Sequence, residues 1–497
     1  MNHSLSNCSR NSPRKTQSAK KMAFVQVILS KAHDLRLERH LSPFNSQRRI
    51  QQRSLGQCAF APLRRLLDQH FDSSRRFLLA PYSVSSNEGV FTCRAFHRQV
   101  RVSAPVTPEH SASSNGASRS SLQNLRVLFV SSPVGPLGTG QAGGVELTLG
   151  NLARELLSRG IDVQVVAPEG SSLDGVSDVV QIAGSPQLYA QHQSREDPVT
   201  MPADAVLGNM WDYVRAKQGE YDLALNFAFD WLPLYVSPFL HIPVAHLISM
   251  GSLNDSMDTA IQRVANFAPQ TVAVHTHAQA NTFPPGVRSG LRALGNGFDL
   301  SKYPFSEEGK NGSLVWVGRI APEKGLEDAV AAAAMCKRKL LILGHMQDRE
   351  YYDNVLAEHP SADVEYLGFV NTEELADVLG QKSRALLVTP KWEEAFGNVA
   401  VEALACGCPV IAYRRGGPQE IVEDGVSGFL VEADNVEGLV SAIHSLDKIK
   451  RVDCRQRAEA EYSQQKMGDR VLHWFHDILD HAGENSDSSL QASSVCV

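Results

Sequence analysis

The sequence predicts an α/β fold in which two Rossmann-like domains face each other across a cleft. Its 497 residues are enough for about two to four domains. A strand, a glycine-rich loop, a helix and a second strand follow one another from residue 125, and the same order restarts at residue 313. Because a crossover helix makes the two strands that it joins parallel, each run predicts a parallel sheet.

The first predicted domain covers residues 123–297. Residues 125–130 form a short apolar run with two valines, which is typical of a strand buried on both faces. After a loop rich in glycine and proline, apolar residues recur at helical spacing until Gly160 ends the helix. Further strands are predicted at four apolar runs, residues 161–167, 223–227, 244–248 and 271–274.

The second predicted domain covers residues 298–463. It begins with a strand at residues 313–317, a loop, and an Ala-rich helix at residues 326–336, and later strands are expected at residues 340–343, 364–367 and 385–388. Residues 464–482 are amphipathic and are expected to form a closing helix that packs back on the first domain. Residues 483–497 are expected to be a polar tail.

The charge of the chain is unevenly distributed. Residues 1–120 contain 19 Lys/Arg, 6 Asp/Glu and 20 Ser, and the first acidic residue is Asp34. This acid-poor, Ser/Arg-rich composition is typical of an organelle transit peptide, so residues 1–122 are predicted to be a transit peptide and a disordered linker. A functional basic arm is the alternative. The composition fits a chloroplast or a mitochondrion, and a cytoplasmic protein remains the other possibility.

Several function classes are disfavoured by the sequence. No apolar run approaches the roughly 18 to 20 residues that cross a bilayer, so we expect no stable membrane insertion. The eight cysteines include no CxxC pair, and we expect no metal site. Gly138, Gly140 and Gly143 fit the GxGxxG pattern, but a loop with two prolines separates them from their strand, which argues against a nicotinamide cofactor. Gly143 and Gly144 still precede a helix, where backbone N–H groups can face a phosphate.

Two motifs in the second domain suit a nucleotide sugar. Gly318 and Arg319 follow a strand, and Lys324 lies five residues after Arg319, so the loop offers two cations for a diphosphate. By themselves, these charges are more readily explained as solvated loop residues. Glu394 and Glu402 are eight residues apart, just over two helical turns. Carboxylates accept paired hydrogen bonds from vicinal hydroxyl groups, which a sugar and a ribose present.

Arg319, Lys324, Glu394 and Glu402, in this order, resemble the donor site of the retaining GT-B glycosyltransferases of family 4. The resemblance extends over about residues 125–480. It implies that the first domain binds the acceptor and that the second binds the UDP-sugar. It also implies that the two cations hold the UDP diphosphate, that Glu402 binds the ribose and that Glu394 binds the transferred sugar.

The resemblance assigns further residues. Backbone N–H groups of Phe396, Gly397 and Asn398 would assist Glu394, and Gly318 would belong to the phosphate loop. The segment Gly368, Phe369 and Val370 would contact the uracil. His246 would lie near the sugar at a strand end, where a structural histidine is the alternative. Asp230 and Trp231, at another strand end, would shape the acceptor pocket, or else serve as core or turn residues.

Four segments resemble more narrowly the cyanobacterial UDP-glucose:tetrahydrobiopterin glucosyltransferases, namely residues 130–138, 226–235, 245–251 and 389–392. This implies transfer of glucose from UDP-glucose to a pterin such as tetrahydrobiopterin, with retention. A cyanobacterial-type enzyme behind a transit peptide implies the chloroplast. Metal-dependent glycosyltransferases commonly carry a DxD pair, and no two aspartates here are two residues apart, so a required metal or other cofactor is not expected.

Other functions remain open from the sequence alone. The same chemistry on another acceptor, either a small molecule, a lipid or a sugar, is one alternative. Another is a non-catalytic regulator that binds a nucleotide sugar, since a fold does not dictate a function. A sugar-nucleotide epimerase is a third. A nucleic-acid partner is not expected in any of these cases.

Overall fold

The structure, a computed structural model, describes residues 124–140, 143–187, 195–309 and 312–494, with side chains described as far as residue 482. The predicted transit peptide and linker, residues 1–122, lie outside the described residues. So do the last three residues of the predicted tail.

The N-terminal domain is built on a seven-stranded parallel sheet with the order β3-β2-β1-β4-β5-β6-β7. The central strands are largely buried and mostly apolar because helices cover both faces. The strands are β1 (Arg126–Val130), β2 (Asp162–Pro168), β3 (Val179–Ile182), β4 (Leu223–Asn226), β5 (Val244–Ile248), β6 (Val272–Val274) and β7 (Arg292–Ala293).

In the described residues of this domain, six α-helices accompany the sheet. They are α1 (Gly144–Ser158), α2 (Val206–Lys217), α3 (Trp231–Val236), α4 (Asp255–Phe267), α5 (His277–Asn281) and α6 (Pro285–Arg288). In α1, Leu149, Leu152 and Leu156 are buried against β1 and β2, as their helical spacing predicts. Short side-chain caps begin several of the others: Asn254 accepts hydrogen bonds from two backbone N–H groups at the start of α4.

The C-terminal domain repeats the same topology with a six-stranded parallel sheet of order β10-β9-β8-β11-β12-β13. Its strands are β8 (Ser313–Val317), β9 (Leu340–Leu343), β10 (Val364–Gly368), β11 (Ser383–Val388), β12 (Val410–Tyr413) and β13 (Gly428–Val431). Its helices are α7 (Leu326–Met335), α8 (Arg349–Glu358), α9 (Thr372–Asp377), α10 (Asn398–Ala405), α11 (Pro418–Ile421), α12 (Val436–His444) and α13 (Arg451–Glu461).

Both sheets therefore have the Rossmann strand order, and each changes direction once. In the N-terminal sheet the change lies between β1 and β4, and in the C-terminal sheet it lies between β8 and β11. At such a point the loops leave two adjacent strands in opposite directions and open a crevice at their carboxyl ends. The fold class predicted from the sequence is confirmed.

The last helix returns the chain to the N-terminal domain. Helix α14 (Gln464–Ser494) buries Met467, Val471, Trp474 and Phe475 in the same core cluster as Leu149 of α1. The chain thus crosses between the domains twice, and the two crossings are paired, because Phe298 N–H donates to the Tyr462 carbonyl at 2.9 Å. The sequence predicted that this helix ends at residue 482 and that a polar tail follows, whereas in the structure α14 continues to Ser494. Among the described helices, none is both long and apolar enough to cross a bilayer.

Candidate active site

A cavity of about 1080 Å³ is lined by residues of both Rossmann domains. Its walls are formed by loops at the two points where the strand order reverses. Ser132 and Asp230 follow β1 and β4 in one domain, and Arg319 and Thr389 follow β8 and β11 in the other. The cavity therefore occupies the place where doubly wound α/β domains bind ligands.

Arg319 and Lys324 line this cavity from the loop between β8 and α7. The Arg319 guanidinium donates hydrogen bonds to the side chain of Gln347 and, at 2.9 Å, to Glu323. Gly325, directly after Lys324, has a φ of +66°, and a Cβ there would lie 1.9 Å from the Thr389 carbonyl oxygen. Only glycine fits this position, because the turn that sets the direction of Lys324 packs directly on the backbone after β11.

Lys324 and Glu394 are brought together although 70 residues separate them in the chain. The Lys324 ammonium lies 2.5 Å from Glu394 Oε2, and the side chains of both are about one-fifth exposed. Trp392 connects the two: its indole N–H donates to Glu394 Oε2 at 3.1 Å, and its ring centroid lies 4.9 Å from Lys324 Nζ. The tryptophan therefore orients both charged groups toward the cavity, through a hydrogen bond and a cation–π contact.

Two helices begin at the cavity without a side-chain cap. Helix α10 starts after Gly397, whose φ is +99°, and α1 starts after Gly143, whose φ is +57°. Their first N–H groups have no intrahelical partner and carry the positive end of the helix dipole. The two ends are close together, since a Cβ on Gly144 would lie 2.9 Å from the Asn398 amide nitrogen. The cavity is thus favourable for negatively charged oxygen atoms.

Of the segment predicted to contact uracil, Phe369 and Val370 line the cavity, and Phe369 is 74% exposed. Gly368 is not among the lining residues. It instead places its carbonyl oxygen 2.8 Å from the Gly344 N–H, which holds the β10 edge against the loop after β9. The contribution of Gly368 is therefore corrected to one of loop geometry.

His246 was predicted at a strand end near the sugar, and the structure corrects this placement. Strand β5 extends beyond His246 to Ile248, so the histidine lies in the middle of a buried strand and the cavity begins at Ser249. The ring is fully buried between Ser237 and Asn226. The Ser237 hydroxyl donates its proton to the Pro233 carbonyl, so it must accept a hydrogen bond from His246 Nε2–H. The Asn226 amide group donates a hydrogen bond to His246 Nδ1. Burial lowers the pKa of His246 to about 3, so the ring is neutral.

Glu402 likewise does not line the cavity with Glu394. It lies one helical turn deeper in α10 than Asn398, is only 8% exposed, and accepts a hydrogen bond from the Tyr303 hydroxyl at 2.8 Å. Burial raises the pKa of this carboxyl above its usual value. Glu402 is therefore buried in α10 outside the cavity lining, and its hydrogen bonding to a ribose stays a prediction.

The two acceptor-site candidates differ in position. Asp230 lines the cavity and also caps α3, since its Oδ1 accepts a hydrogen bond from the Leu232 N–H at 3.1 Å. Trp231 is not among the lining residues. As the first residue of α3 it stacks on Tyr235, one turn later, with 4.3 Å between ring centroids. Its predicted role in the acceptor pocket is therefore corrected to packing along the helix.

His275 is a cavity residue that the sequence did not single out. It follows β6, is only 7% exposed, and its ring lies near Phe396 of the other domain. A carbonyl oxygen can only accept, so the Nδ1 contact with the Gly295 carbonyl at 3.0 Å requires a proton on Nδ1. Burial lowers the pKa of His275, and the neutral ring therefore has an unprotonated Nε2. Among the described residues no partner takes that nitrogen. The sequence feature that could have identified His275 is its position directly after the short apolar run at residues 271–274.

The chain was compared with known protein families, sequence relatives and solved structures. Residues 302–461 match the family described as glycosyl transferases group 1. These residues make up most of the C-terminal domain. The chain is therefore a glycosyltransferase, and the enzyme class predicted from the sequence is confirmed. The matched residues include Arg319, Lys324 and Glu394, three of the charged residues that line the cavity.

Sequence relatives and solved structures were also compared with the chain. The chain is 26% identical to a D-inositol 3-phosphate glycosyltransferase of an Arthrobacter species, over 71% of this chain and 96% of the relative. It is similar in fold to Anabaena HepE in complex with UDP and glucose, with a TM-score of 0.56, 19% identity, and coverage of 70% and 99%. Sucrose-phosphate synthase of Thermosynechococcus elongatus has a TM-score of 0.54 at 19% identity, with coverage of 74% and 100%. These similarities show the two-domain GT-B fold.

Proposed function

We propose that this glycosyltransferase transfers glucose from UDP-glucose to a pterin such as tetrahydrobiopterin, with retention of the anomeric configuration. The observation that carries the proposal is the convergence of Arg319, Lys324 and Glu394 on one cavity between the domains. Anabaena HepE, which shares this fold, has been crystallised with UDP-glucose, which supports the choice of donor. The sequence segments that resemble the pterin glucosyltransferases support the acceptor.

Arg319 and Lys324 act in this proposal on the diphosphate. As the bond between the sugar and the phosphate breaks, negative charge accumulates on the leaving diphosphate, and two fixed cations stabilise it. A unit charge about 4 Å from such a cation is stabilised by on the order of 4 kcal/mol at an effective dielectric constant near 20. The unpaired N–H groups at the start of α10 and α1 add to this stabilisation without moving.

Glu394 acts on the sugar. A diphosphate competes with Glu394 for Lys324, and once the ammonium turns to phosphate, the carboxylate can accept hydrogen bonds from sugar hydroxyl groups. Trp392 keeps its indole N–H on Glu394 Oε2 during this exchange, so the carboxylate is held rather than released. Donor binding and orientation of the sugar are thereby coupled through one ion pair.

The bond changes can be written without a protein nucleophile. The acceptor oxygen attacks the anomeric carbon on the face from which UDP departs, the carbon–oxygen bond to the phosphate breaks, and the acceptor proton passes to a phosphate oxygen. His275 Nε2, unprotonated and open to the cavity, can accept a hydrogen bond from a donor hydroxyl group and fix the sugar ring. No metal or other cofactor takes part in this scheme, and we propose the chloroplast as the site of the reaction.

The experiment that tests the proposal is incubation of the full-length protein with UDP-glucose and tetrahydrobiopterin, followed by mass analysis of the pterin. A mass increase of one hexosyl unit, with release of one UDP, is the expected result. UDP release only with a different acceptor would show another glycosyltransferase specificity. Donor binding without any UDP release would identify a regulator, and conversion of the donor without an acceptor would identify an epimerase.

The role of the two cations is tested by Arg319→Ala and Lys324→Ala. Each is expected to lower kcat by about 10² to 10³, because a positioned donor to the developing charge is lost. Lys339→Ala is the matched control, since Lys339 is an exposed lysine in the same domain that pairs with Glu365. Unchanged turnover in both Arg319→Ala and Lys324→Ala would show that this loop does not stabilise the diphosphate.

A further inference from the structure

We propose that Asp230 binds the N–H edge of a flat heteroaromatic acceptor and thereby selects acceptors that carry two adjacent N–H donors. The inference rests on the proposed function and specifies the acceptor chemistry that it leaves open. It concerns the part of the cavity formed by the N-terminal domain. The charged residues assigned to the donor, Arg319, Lys324 and Glu394, lie in the opposite wall.

The two points of strand reversal carry opposite charges. Arg319 lies at the reversal in the C-terminal sheet, where it suits a diphosphate, whereas Asp230 lies in the loop after β4 at the reversal in the N-terminal sheet. Asp230 is the one carboxylate that the described N-terminal domain contributes to the cavity lining. A ligand that enters from this side therefore meets a negative group, which favours hydrogen-bond donors or a positive charge.

The Asp230 carboxylate is held in place and still has acceptor capacity. Oδ1 accepts from the Leu232 N–H, and Oδ2 accepts from Gln187 Nε2 at 2.9 Å. The Trp231 backbone N–H also interacts with the carboxylate. Because two carboxylate oxygens have about four lone-pair sites, the group still retains acceptor capacity for a ligand. Gln187 Oε1 is buried and has no partner among the described residues, which leaves this corner rich in acceptors and short of donors. Burial also raises the pKa of Asp230, because it disfavours the charged carboxylate. Hydrogen bonds from ligand N–H groups would stabilise the charged form.

The surroundings of the carboxylate suit a flat ring. Phe227 and Phe229, in the same loop as Asp230, both line the cavity. Phe227 packs on Phe129, with 5.2 Å between the ring centroids. Phe229 is partly exposed and offers an aromatic surface. An aromatic wall beside a carboxylate matches a heterocycle whose edge presents N–H groups side by side, as the 2-amino-4-oxopyrimidine ring of a pterin does.

A simpler explanation is that Asp230 serves only as the cap of α3. Asparagine caps a helix as well as aspartate does, so Asp230→Asn keeps the Oδ1 bond to Leu232 and removes the negative charge. The variant therefore separates the two roles. Asp212→Asn is the matched control, because Asp212 is an exposed carboxylate of the same domain whose loss changes the net charge equally.

The test is a fluorescence titration of the full-length protein, in the presence of UDP, with a 6-substituted pterin and with its 2-oxo counterpart, which lacks the amino group. The unaltered protein and Asp212→Asn are expected to prefer the pterin. Asp230→Asn is expected to weaken pterin binding by about 10- to 100-fold, because a hydrogen-bonded pair to a charged group is lost. Binding of the 2-oxo compound should change by less than about threefold, and the thermal midpoint should be preserved.

Each outcome decides a separate point. Equal weakening for both compounds, or no weakening, would overturn the role of Asp230 as a reader of the N–H edge. Selective binding by the unaltered protein that is lost in Asp230→Asn would support it, even if no glucosylated pterin is formed, in which case the proposed function alone fails. Failure of the unaltered protein to bind either compound would overturn both.

Discussion

At the scale of single residues, the two buried histidines have different tasks, and their hydrogen bonds reveal the difference. His246 has both ring nitrogens satisfied inside the protein, by Ser237 and Asn226. His275 has only Nδ1 satisfied, and its Nε2 is open to the cavity. A satisfied ring contributes to stability, whereas an unsatisfied acceptor at a cavity wall is available to a ligand.

The first prediction concerns His275. His275→Asn removes the Nε2 acceptor and is expected to lower kcat/KM for UDP-glucose by about 3- to 10-fold, the value of one neutral hydrogen bond. Steady-state kinetics at saturating acceptor measures this change. His277→Asn is the control, since His277 is exposed two residues later. Equal kinetics for the two variants would contradict a ligand contact by His275.

The second prediction concerns His246 and pH. Burial lowers its folded-state pKa to about 3 from an ordinary value of 6.5, so between these values the unfolded chain binds a proton that the folded chain does not. The free energy of unfolding therefore falls as the pH falls below 6.5, by up to about 1.4 kcal/mol per pH unit from this group. Urea denaturation between pH 7 and 5 measures the slope.

His246→Gln is expected to show a smaller loss of stability over the same pH range, although it is less stable at pH 7. His241→Gln, at an exposed histidine of the same domain, should retain the slope of the unaltered protein. If the slopes of all three proteins coincide, the buried neutral histidine is not the cause of the acid sensitivity.

At the scale of elements, sequence pattern and structure agree where the signal is local. Arg319 and Lys324 are five residues apart in one loop, and the strand and helix around them are strongly apolar, so their convergence could be predicted. The placement of His246 was predicted wrongly, although the apolar run at residues 244–248 has the bounds of β5 and puts His246 in the middle of a strand. The groups that hold its ring, Asn226 and Ser237, lie 20 and 9 residues away in sequence, so its hydrogen bonds could not be predicted from a local pattern.

The same reasoning applies to Glu402 and Trp392. The spacing of eight residues predicts two helical turns between Glu394 and Glu402, but α10 begins only at Asn398, and Glu402 is held by Tyr303, 99 residues away in sequence. Trp392 was noted only as part of a segment, and its contact with Lys324 arises because β8 and β11 are neighbours in the sheet. Long-range pairing, rather than composition, decides both cases.

Helix α14 gives the third prediction. Trp474 is fully buried in the core of the N-terminal domain, and its indole N–H donates to the Gln270 carbonyl at 2.5 Å. Trp474→Ala is expected to reduce the free energy of unfolding by about 3 to 5 kcal/mol, as for other large-to-small core substitutions. Urea denaturation provides the measurement. His473→Ala, at a side chain that is 76% exposed, should change stability by less than about 0.5 kcal/mol.

At the scale of the whole molecule, the two domains are joined by more than the cleft. Thr276 Oγ1 donates to the Ala395 carbonyl at 2.8 Å, and the Glu420 carboxylate accepts from the backbone N–H groups of His277 and Ala278. Asn296 donates to Asn398 at 3.0 Å in the same region. Because these contacts lie beside the cavity, a ligand that binds both walls strengthens the connection between the domains.

The fourth prediction follows from this connection. UDP at about 100 times its Kd is expected to stabilise the protein by about 2.7 kcal/mol and to raise the thermal midpoint by roughly 5 °C in a single transition. Differential scanning calorimetry measures the shift. Lys324→Ala should reduce the shift at the same UDP concentration, whereas Lys339→Ala should retain it. A shift confined to one of two resolved transitions would show that the domains unfold independently.

The return of α14 has a consequence for the synthesis of the chain on the ribosome. Domains ordinarily fold in the order in which they are translated. Here the apolar face of α1 is covered by Val471, Trp474 and Phe475, which are translated more than 300 residues after Leu156. The N-terminal domain must therefore emerge with an uncovered apolar surface while the C-terminal domain is still being made, and its core is completed only when α14 has been translated.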